Sequence, residues 1–289
     1  MRNFMEMLKA LWAEGKFVCV GLDSEVDKIP KYCHRPNDLF GTISAFNAGI
    51  VEATKAVTLS YKPNLAFYWP HGSAGVAALR ETIRHIHSYA SAIPVILDCK
   101  IGDIGNTNQG HLQAIFDYFE ADAVTVHPYM GHEAMAPFLN RADKGIFVLC
   151  RTSNPGAGEL QDLSTCDFPD SIEFALFERI AFNVAERWNN YSGNCGLVIG
   201  ATCPEELKQV RRQAPQLPLL IPGIGAQGGG LEATLRSGLD SNGTGVIINS
   251  SRGIIFASEG TDYAEAAGRA AKDLDDQITR IRQEMILNG

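Results

Sequence analysis

Five charged residues lie within or just after short apolar runs, and their types suit acid–base chemistry. The segment DCKIGD supplies Asp98, Lys100 and Asp103, while Asp23 ends an earlier apolar run and Lys62 lies in another. Asp98 and Lys100 are two positions apart on a predicted strand, so we expect their side chains to point to the same face. Neighbouring carboxylates favour the protonated form of Lys100, and a fixed ammonium supplies both positive charge and a proton.

The alternative interpretation of these charges is a buried ion pair with a purely structural role. Isolated buried pairs are poor stabilisers, because the cost of desolvation offsets the Coulomb attraction. Several charges gathered at the ends of neighbouring strands are therefore better explained as a functional site.

Two loops late in the chain are typical of a phosphate site. The seventh predicted strand runs into GIGAQGGG, and the eighth runs into NSSRG. Glycines such as Gly225 let the backbone approach an anion, Gln227 adds an amide donor, and Arg252 supplies a bidentate guanidinium. Either loop alone would indicate only a flexible turn or a surface arginine. Together they predict phosphate binding, because these two loops often hold phosphate in α/β barrels.

The elements that must position these residues alternate regularly along the chain. Helical spacing of apolar residues is found in Leu39–Lys55, Ala74–Ala90 and Ser171–Trp188. We therefore predict an α/β fold, a (β/α)8 TIM barrel in one domain over residues 1–289, with terminal helices at about 2–14 and 263–287. Eight short apolar runs are the predicted parallel strands: Phe17–Asp23, Leu59–Tyr68, Pro94–Lys100, Ala123–His127, Gly145–Cys150, Gly196–Ala201, Leu217–Gly225 and Gly245–Ser250.

The rival topology is an open, doubly wound sheet that binds a dinucleotide. Gly223, Gly225 and Gly228 form a G-x-G-x-x-G pattern between a predicted strand and a helix. Such a site normally uses the first strand–helix turn and an acidic residue that ends the next strand. Here the pattern follows the seventh strand, and the next strand ends in Asn249–Ser250. This context favours the barrel.

The composition excludes several classes of protein. The 289 residues are 45% hydrophobic and 20% charged, and 25 basic against 33 acidic residues give a net charge of −8. An acidic chain without a long apolar stretch argues against a nucleic-acid or membrane partner. Seven scattered cysteines without a CxxC pair, and an N-terminus unlike a signal peptide, indicate a cytoplasmic protein without a metal site. The long loop Ser153–Pro169 is either functional or a surface insertion.

The segment VILDCKIGDIGNT resembles the D-x-K-x-x-D-I-x-x-T signature of the orotidine 5′-phosphate decarboxylase family, in its longer bacterial-type branch. The D-x-K-x-x-D element alone is shared with related sugar-phosphate decarboxylases and aldolases. Five further segments agree in register with the decarboxylases and raise the specificity of the match: VGLDSE, YKPN, RTSNPGAG, PGIGAQGG and SSRGI.

The resemblance implies decarboxylation of orotidine 5′-phosphate to UMP in pyrimidine synthesis, without a metal or organic cofactor. It implies that Lys100 protonates C6 of the pyrimidine and that Asp98 lies beside the substrate carboxylate. Lys62 and Asp103 would complete an alternating charge array, and Asp23 with Lys62 would hold the ribose hydroxyls. Loss of carbon dioxide leaves a carbanion without a good electron sink, so a localised positive charge suits the reaction.

The other implied contacts involve the base, the phosphate and a second subunit. Ser153 would contact the pyrimidine edge, and Gln227 with Arg252 would hold the phosphate. Asp103 and Thr107 would reach into the neighbouring subunit's site, which implies a homodimer with shared active sites.

Two other functions stay open at this point. One is a metal-dependent sugar-phosphate decarboxylase or synthase of the same superfamily, in which a divalent ion stabilises an enediolate. The other is a barrel that binds a phosphate ligand without catalysis. A chelator distinguishes the first from the cofactor-free reaction, and an assay of UMP formation distinguishes the second.

Overall fold

The structure is a computed structural model and describes residues 2–166, 173–224 and 230–287. In these residues, eight parallel strands form the central sheet. A separate antiparallel pair lies between the fifth and sixth strands of this sheet. In chain order the strands are β1 (Val18–Gly21), β2 (Thr58–Lys62), β3 (Ile96–Ile101), β4 (Ala123–Val126), β5 (Gly145–Arg151), the pair β6 (Ser164–Thr165) and β7 (Phe174–Ala175), β8 (Cys195–Ile199), β9 (Leu219–Pro222) and β10 (Val246–Ser250).

The order of the strands in the sheet is β2-β1-β10-β9-β8-β5-β4-β3. Two isolated parallel bridges, Tyr61 with Val95 and Asn64 with Asp98, bring the edge strands β2 and β3 together. Every residue of β1, β2, β4 and β8 is buried, as expected for parallel strands covered by helices on the outside. The predicted (β/α)8 barrel is confirmed.

Helices cover the outside of the barrel and connect successive strands. Helices α4 and α7 each continue into a π-helical segment, at residues 113–118 and 184–188. The helices are α1 (Phe4–Ala13), α2 (Leu39–Thr54), α3 (Gly72–Tyr89), α4 (Gly105–Leu112), α5 (Gly131–Leu139), α6 (Gly158–Gln161), α7 (Leu176–Asn183), α8 (Pro204–Gln213), α9 (Leu231–Gly238), α10 (Arg252–Ile255) and α11 (Tyr263–Leu287). None of the helices in the described ranges combines the length and apolar composition that a membrane span requires.

Helix α1 covers the end of the barrel at which the strands begin. The indole Nε1 of Trp12 donates to the carbonyl of Val246, the first residue of β10, at 2.9 Å. Arg2 donates to both carboxylate oxygens of Asp122, at 2.7 and 2.8 Å, and Asp122 directly precedes β4. Because this end is covered, the opposite end, where the strands stop, is left for a binding site.

The predicted second strand, Leu59–Tyr68, is wrong in its second half, because β2 ends at Lys62. Pro63 has no N–H to donate to a strand ladder. The side chain of Asn64 then accepts a hydrogen bond from the N–H of Ala66 at 3.1 Å, which begins a 3₁₀ turn instead of extending the strand.

The structure also corrects the predicted segments on either side of residue 170. The helix expected over 171–188 begins only at Leu176, because Phe174 and Ala175 form β7, and residues 171–172 lie outside the described ranges. The Glu178 carboxylate accepts the N–H of Ala175 at 2.9 Å, which favours a helix start at this point. The expected loop 153–169 contains α6 and β6, and its residues 167–169 are not described.

Candidate active site

A cavity of about 520 Å³ opens where the barrel strands end. All eight barrel strands, or the loops that follow them, contribute to its wall, so it lies on the barrel axis. The lining includes Asp23, Lys62, Asn64, Asp98, Lys100, Thr125, Leu149, Thr152, Ser153, Val198, Gly200, Leu220, Pro222, Asn249, Ser251 and Arg252. Most residues predicted from the sequence to act on a substrate are therefore in one cavity.

The centre of the cavity wall is a cluster of two ammonium groups on one carboxylate. Lys62 Nζ lies 3.0 Å from Asp98 Oδ2, and Lys100 Nζ lies 2.6 Å from Asp98 Oδ1. Lys62 is only 3% exposed and Asp98 7%, whereas the side chain of Lys100 is 47% exposed. The cluster therefore has one buried ammonium and one that reaches the open part of the cavity.

The charges of this cluster hold one another in the ionised state. Burial by itself would lower the pKa of Lys62, but the carboxylates of Asp98 and Asp23 outweigh it and raise that pKa above its ordinary value. Burial would likewise raise the pKa of Asp98, but Lys62 and Lys100 lower it far below the usual range. At neutral pH Asp98 is consequently a carboxylate and Lys62 an ammonium.

The backbone of β3 is irregular between Asp98 and Lys100. Lys100 has a φ of +48°, a left-handed conformation that is uncommon for a residue other than glycine, and the pairing with β4 shifts register between Leu97 and Ile101. Simple strand alternation, from which we expected Asp98 and Lys100 to share a face, therefore does not hold here. The two side chains meet because the backbone turns at Lys100.

Asp23 follows β1 and has an oxygen without a hydrogen-bond partner. Its Oδ1 is buried, and no group in the described residues bonds to it. Because a buried carboxylate oxygen normally has a partner, this atom is suited to accept a hydrogen bond from a ligand hydroxyl in the cavity.

The loop after β5 brings Ser153 to the cavity, and Gly200 after β8 makes room for it. A Cβ at Gly200 would lie 2.7 Å from the Cβ of Ser153 and 2.9 Å from its backbone nitrogen. Only glycine allows this approach, because the atoms it would meet include backbone that cannot move freely. The position of Ser153 thus depends on the residue type at 200.

The predicted phosphate site is only partly described. Arg252 is exposed at the start of α10, lines the cavity, and makes no ion pair with another described residue. Gly225 and Gln227 lie outside the described residues, so their predicted contacts stay predictions. Of the three predicted phosphate ligands, Arg252 is the one that lies in the described residues, and it lines the cavity.

Asp103 and Thr107 do not line the cavity of their own chain. The Oδ1 of Asp103 accepts the N–H of Ile104 at 2.7 Å, and no ion pair joins Asp103 to Lys100. Thr107 is exposed on the first turns of α4. The prediction that Asp103 completes the charge array in a neighbouring subunit's site stays a prediction.

Seven polar residues of the lining were not among the predicted site residues: Asn64, Thr125, Thr152, Asn154, Gln161, Asn249 and Ser251. Thr125 donates to Asp98 Oδ1 at 2.8 Å, Asn64 follows Lys62 by two positions, and buried Asn249 donates to the carbonyl of Cys19 at 3.1 Å. A polar residue inside an otherwise apolar strand, such as Thr125 in AVTV, was the available signal.

A larger cavity of about 900 Å³ lies beside the charged one, between α5 and α7. It shares only Leu149 and Gln161 with the charged cavity, and its wall is mostly apolar. It contains no cluster of lysine and aspartate, so we assign the chemistry to the smaller cavity. Nowhere in the described residues do three or more His, Cys, Asp or Glu side chains form a group suited to a metal ion.

Comparison with known proteins agrees with this geometry. A sequence model described as "Orotidine 5′-phosphate decarboxylase / HUMPS family" matches residues 16–267. The orotidine 5′-phosphate decarboxylase of Thermomicrobium roseum is 44% identical over 284 residues, which cover 98% of this chain and 97% of that protein.

Solved structures show the same similarity. The OMP decarboxylase of Leishmania donovani has a TM-score of 0.81 at 37% identity, over 97% of this chain and 98% of that one. A putative orotidine-monophosphate-decarboxylase from Toxoplasma gondii has a TM-score of 0.88 at 34% identity, over 99% and 98%. This chain therefore belongs to the orotidine 5′-phosphate decarboxylase / HUMPS family.

Proposed function

We propose that this protein decarboxylates orotidine 5′-phosphate to UMP and carbon dioxide, without a metal or organic cofactor, as a step of pyrimidine synthesis. The observation that carries the proposal is the cluster in which Lys62 and Lys100 contact one buried carboxylate, Asp98, at the mouth of the barrel. The names of the relatives support the same substrate.

The proposed reaction needs only one proton donor. The bond between C6 and the carboxylate breaks, carbon dioxide leaves, and the electron pair stays on C6. The ammonium of Lys100 stabilises this charge and then donates its proton to C6, which gives UMP. Lys100 is the exposed ammonium of the cluster, so it can regain a proton from water after product release.

The remaining contacts would bind the rest of the nucleotide. Asp23, whose Oδ1 has no hydrogen-bond partner among the described residues, and Lys62 would hold the ribose hydroxyls. Ser153 would contact the pyrimidine edge, and Arg252 would hold the phosphate together with Gly225 and Gln227 of the loop after β9. Binding at the phosphate, far from C6, would position the ring for reaction.

We further propose a cytoplasmic homodimer of single-domain subunits, in which Asp103 and Thr107 enter the partner's site. Two observations support the interface. Asp103 does not line the cavity of its own chain, and large apolar side chains are exposed next to it and in the segment after β4: Ile104 is 54% exposed and Tyr129 87%. Helices α4 and α5 are packed together there by Asn108, whose Nδ2 donates to the carbonyl of Ala134 at 2.6 Å. A two-fold axis would make two equivalent shared sites.

The first experiment is an absorbance assay with orotidine 5′-phosphate, with and without a chelator. We expect UMP to form at the same rate in both. Lys100→Ala is expected to lower kcat by more than about a hundredfold, because general acid catalysis is worth about 10² to 10⁴. Lys208→Ala on α8, an exposed lysine that does not line the cavity, is the matched control. Loss of turnover with chelator would favour a metal-dependent enzyme, and absence of turnover would favour a binding protein.

The dimer is tested by mixing two inactive variants, Lys100→Ala and Asp103→Ala. If Asp103 acts in the partner's site, each mixed dimer has one site with both residues intact. About half of the dimers are mixed after random exchange, so activity should return to roughly a quarter of wild type. A mixture that stays inactive would rule out shared sites.

A further inference from the structure

The hydroxyl of Thr125 joins the two strands that carry the reacting groups. Thr125 lies on β4 and is 1% exposed. Its Oγ1 donates to Asp98 Oδ1 at 2.8 Å. The same oxygen accepts the N–H of Lys100 at 2.9 Å and the N–H of Cys99 at 3.1 Å. Three polar groups from both sides of the bulge in β3 therefore converge on one side-chain oxygen.

This arrangement uses the full hydrogen-bonding capacity of a hydroxyl. A threonine has one O–H to donate and two lone pairs to accept with, and all three are occupied here. The bulge requires such a group, because the register of β3 against β4 is interrupted between Leu97 and Ile101. Regular pairing with β4 is therefore interrupted over Cys99 and Lys100, and their N–H groups bond to the Thr125 oxygen instead of extending a regular ladder.

The bonds also fix the two features on which the cluster depends. The left-handed backbone at Lys100, with φ of +48°, carries strain and persists only if its surroundings hold it. The same oxygen Oδ1 of Asp98 binds both the Thr125 hydroxyl and Lys100 Nζ. A single side chain consequently connects the backbone of Lys100 to the carboxylate that binds its ammonium.

We propose that Thr125 is a positioning residue, which holds the Lys100 ammonium and the Asp98 carboxylate in their reactive arrangement. The inference rests on the proposed decarboxylation, and it concerns the rate of that reaction rather than nucleotide binding. Thr125 is part of the cavity wall but only 1% exposed, and its hydroxyl is fully bonded to Asp98, Cys99 and Lys100, so it acts through Asp98 and Lys100. The alternative is that the hydrogen bonds of Thr125 between β3 and β4 contribute only to the stability of the fold.

The experiment compares Thr125→Val, which keeps the shape and loses the hydroxyl, with Thr125→Ser, which keeps the hydroxyl. For Thr125→Val we expect kcat to fall about ten- to a hundredfold, the range for losing a hydrogen bond to a charged group. The affinity for UMP, measured by calorimetry, should change by less than about twofold, because a positioning residue does not bind the product. Thr125→Ser should restore kcat to within about threefold of wild type.

The control variant is Thr54→Val on α2. Thr54 is equally buried, and its hydroxyl donates to the carbonyl of Ile50 at 2.7 Å, away from the cavity. We expect a lower melting temperature with unchanged kcat. If Thr125→Val does not fold, Thr125→Cys takes its place, since a thiol is a weak donor and acceptor of similar size and should give a smaller loss of kcat.

Each outcome bears on the proposal. Wild-type kcat in Thr125→Val, or a loss of kcat no greater than that of Thr54→Val at equal loss of stability, overturns it in favour of a purely structural role. An equal loss of UMP affinity and kcat overturns it in favour of a ligand contact. Absence of decarboxylation in the wild type would instead refute the proposed function, and the role of Thr125 would be refuted with it.

Discussion

Removing one charge of the buried Lys62–Asp98 pair is expected to lower the free energy of unfolding by more than the net stabilisation that the intact pair provides. The ammonium and carboxylate lie 3.0 Å apart, and both residues are at least nine-tenths buried. At an effective dielectric constant of about 20, their attraction is about 5.5 kcal/mol. This attraction mainly offsets the desolvation of two charges, so each charge depends on the other. A double-mutant cycle of Lys62→Met and Asp98→Asn measures that dependence.

The contacts of each residue set the expected magnitudes. Asp98→Asn leaves the Lys62 ammonium buried with only the Asp23 carboxylate near it, so we expect a loss of about 3 to 5 kcal/mol. Lys62→Met leaves Asp98 its bonds with Lys100 and Thr125, so the loss should be smaller, about 1 to 3 kcal/mol. The double variant removes both charges, and its loss should be smaller than the sum by about 2 kcal/mol or more.

Urea unfolding of the four proteins at pH 7 gives these free energies, provided that the slopes agree. The matched control is the pair Glu232 and Arg236 on α9, whose charged atoms lie 2.8 Å apart but whose side chains are half exposed or more. Its cycle should give a coupling below about 0.5 kcal/mol. If the losses of the two single variants sum to the loss of the double variant within about 0.5 kcal/mol, the reasoning is refuted, because buried charges in contact do not act independently.

Three further changes have defined outcomes. Against the effect of burial, hydrogen bonds from Arg2 lower the pKa of Asp122 to about 2, so Asp122→Asn should cost about 2 kcal/mol at pH 7. This stabilisation is present above a pH of about 4 and is lost as the pH falls toward 2. If the difference in urea midpoint between wild type and Asp122→Asn stays constant over that range, the prediction is contradicted. Gly200→Ala should displace Ser153 and lower kcat/KM at least about tenfold, and unchanged kinetics would show that the loop adapts. Arg252→Ala should lower kcat/KM for the nucleotide about ten- to a hundredfold and barely affect the nucleoside without phosphate; equal losses would assign Arg252 another role.

The barrel was predictable because its strands are buried on both faces. A buried parallel strand needs a run of apolar residues, and such runs alternate with helical segments along the whole chain. The same logic failed for the second strand, since Leu65 and Tyr68 are buried in turns rather than in the sheet. Burial selects apolar residues in turns as well as in strands, so the apolar pattern alone cannot locate the end of β2.

The charged residues of the site were predictable from type and position, but their geometry was not. Lys100 and Asp98 are in contact as expected, through a left-handed backbone that no propensity of lysine favours. The role of Thr125 depends on a partner 27 positions away, which becomes visible only when β3 and β4 lie side by side. Sequence spacing describes contacts along one strand, whereas these bonds cross between strands.

The unequal exposure of Lys62 and Lys100 indicates different roles for the two ammonium groups that contact the carboxylate of Asp98. Lys62 is buried, and the carboxylates of Asp98 and Asp23 raise its pKa, so it keeps its proton at neutral pH. Lys100 contacts the other oxygen of Asp98 and is half exposed, which suits it to the proposed role of proton donor. In the proposed reaction Asp98 then stays charged through the whole cycle, which fixes the ammonium of Lys100 over the reacting carbon. Burial thus distinguishes the ammonium that keeps its proton, Lys62, from the one proposed to donate it, Lys100.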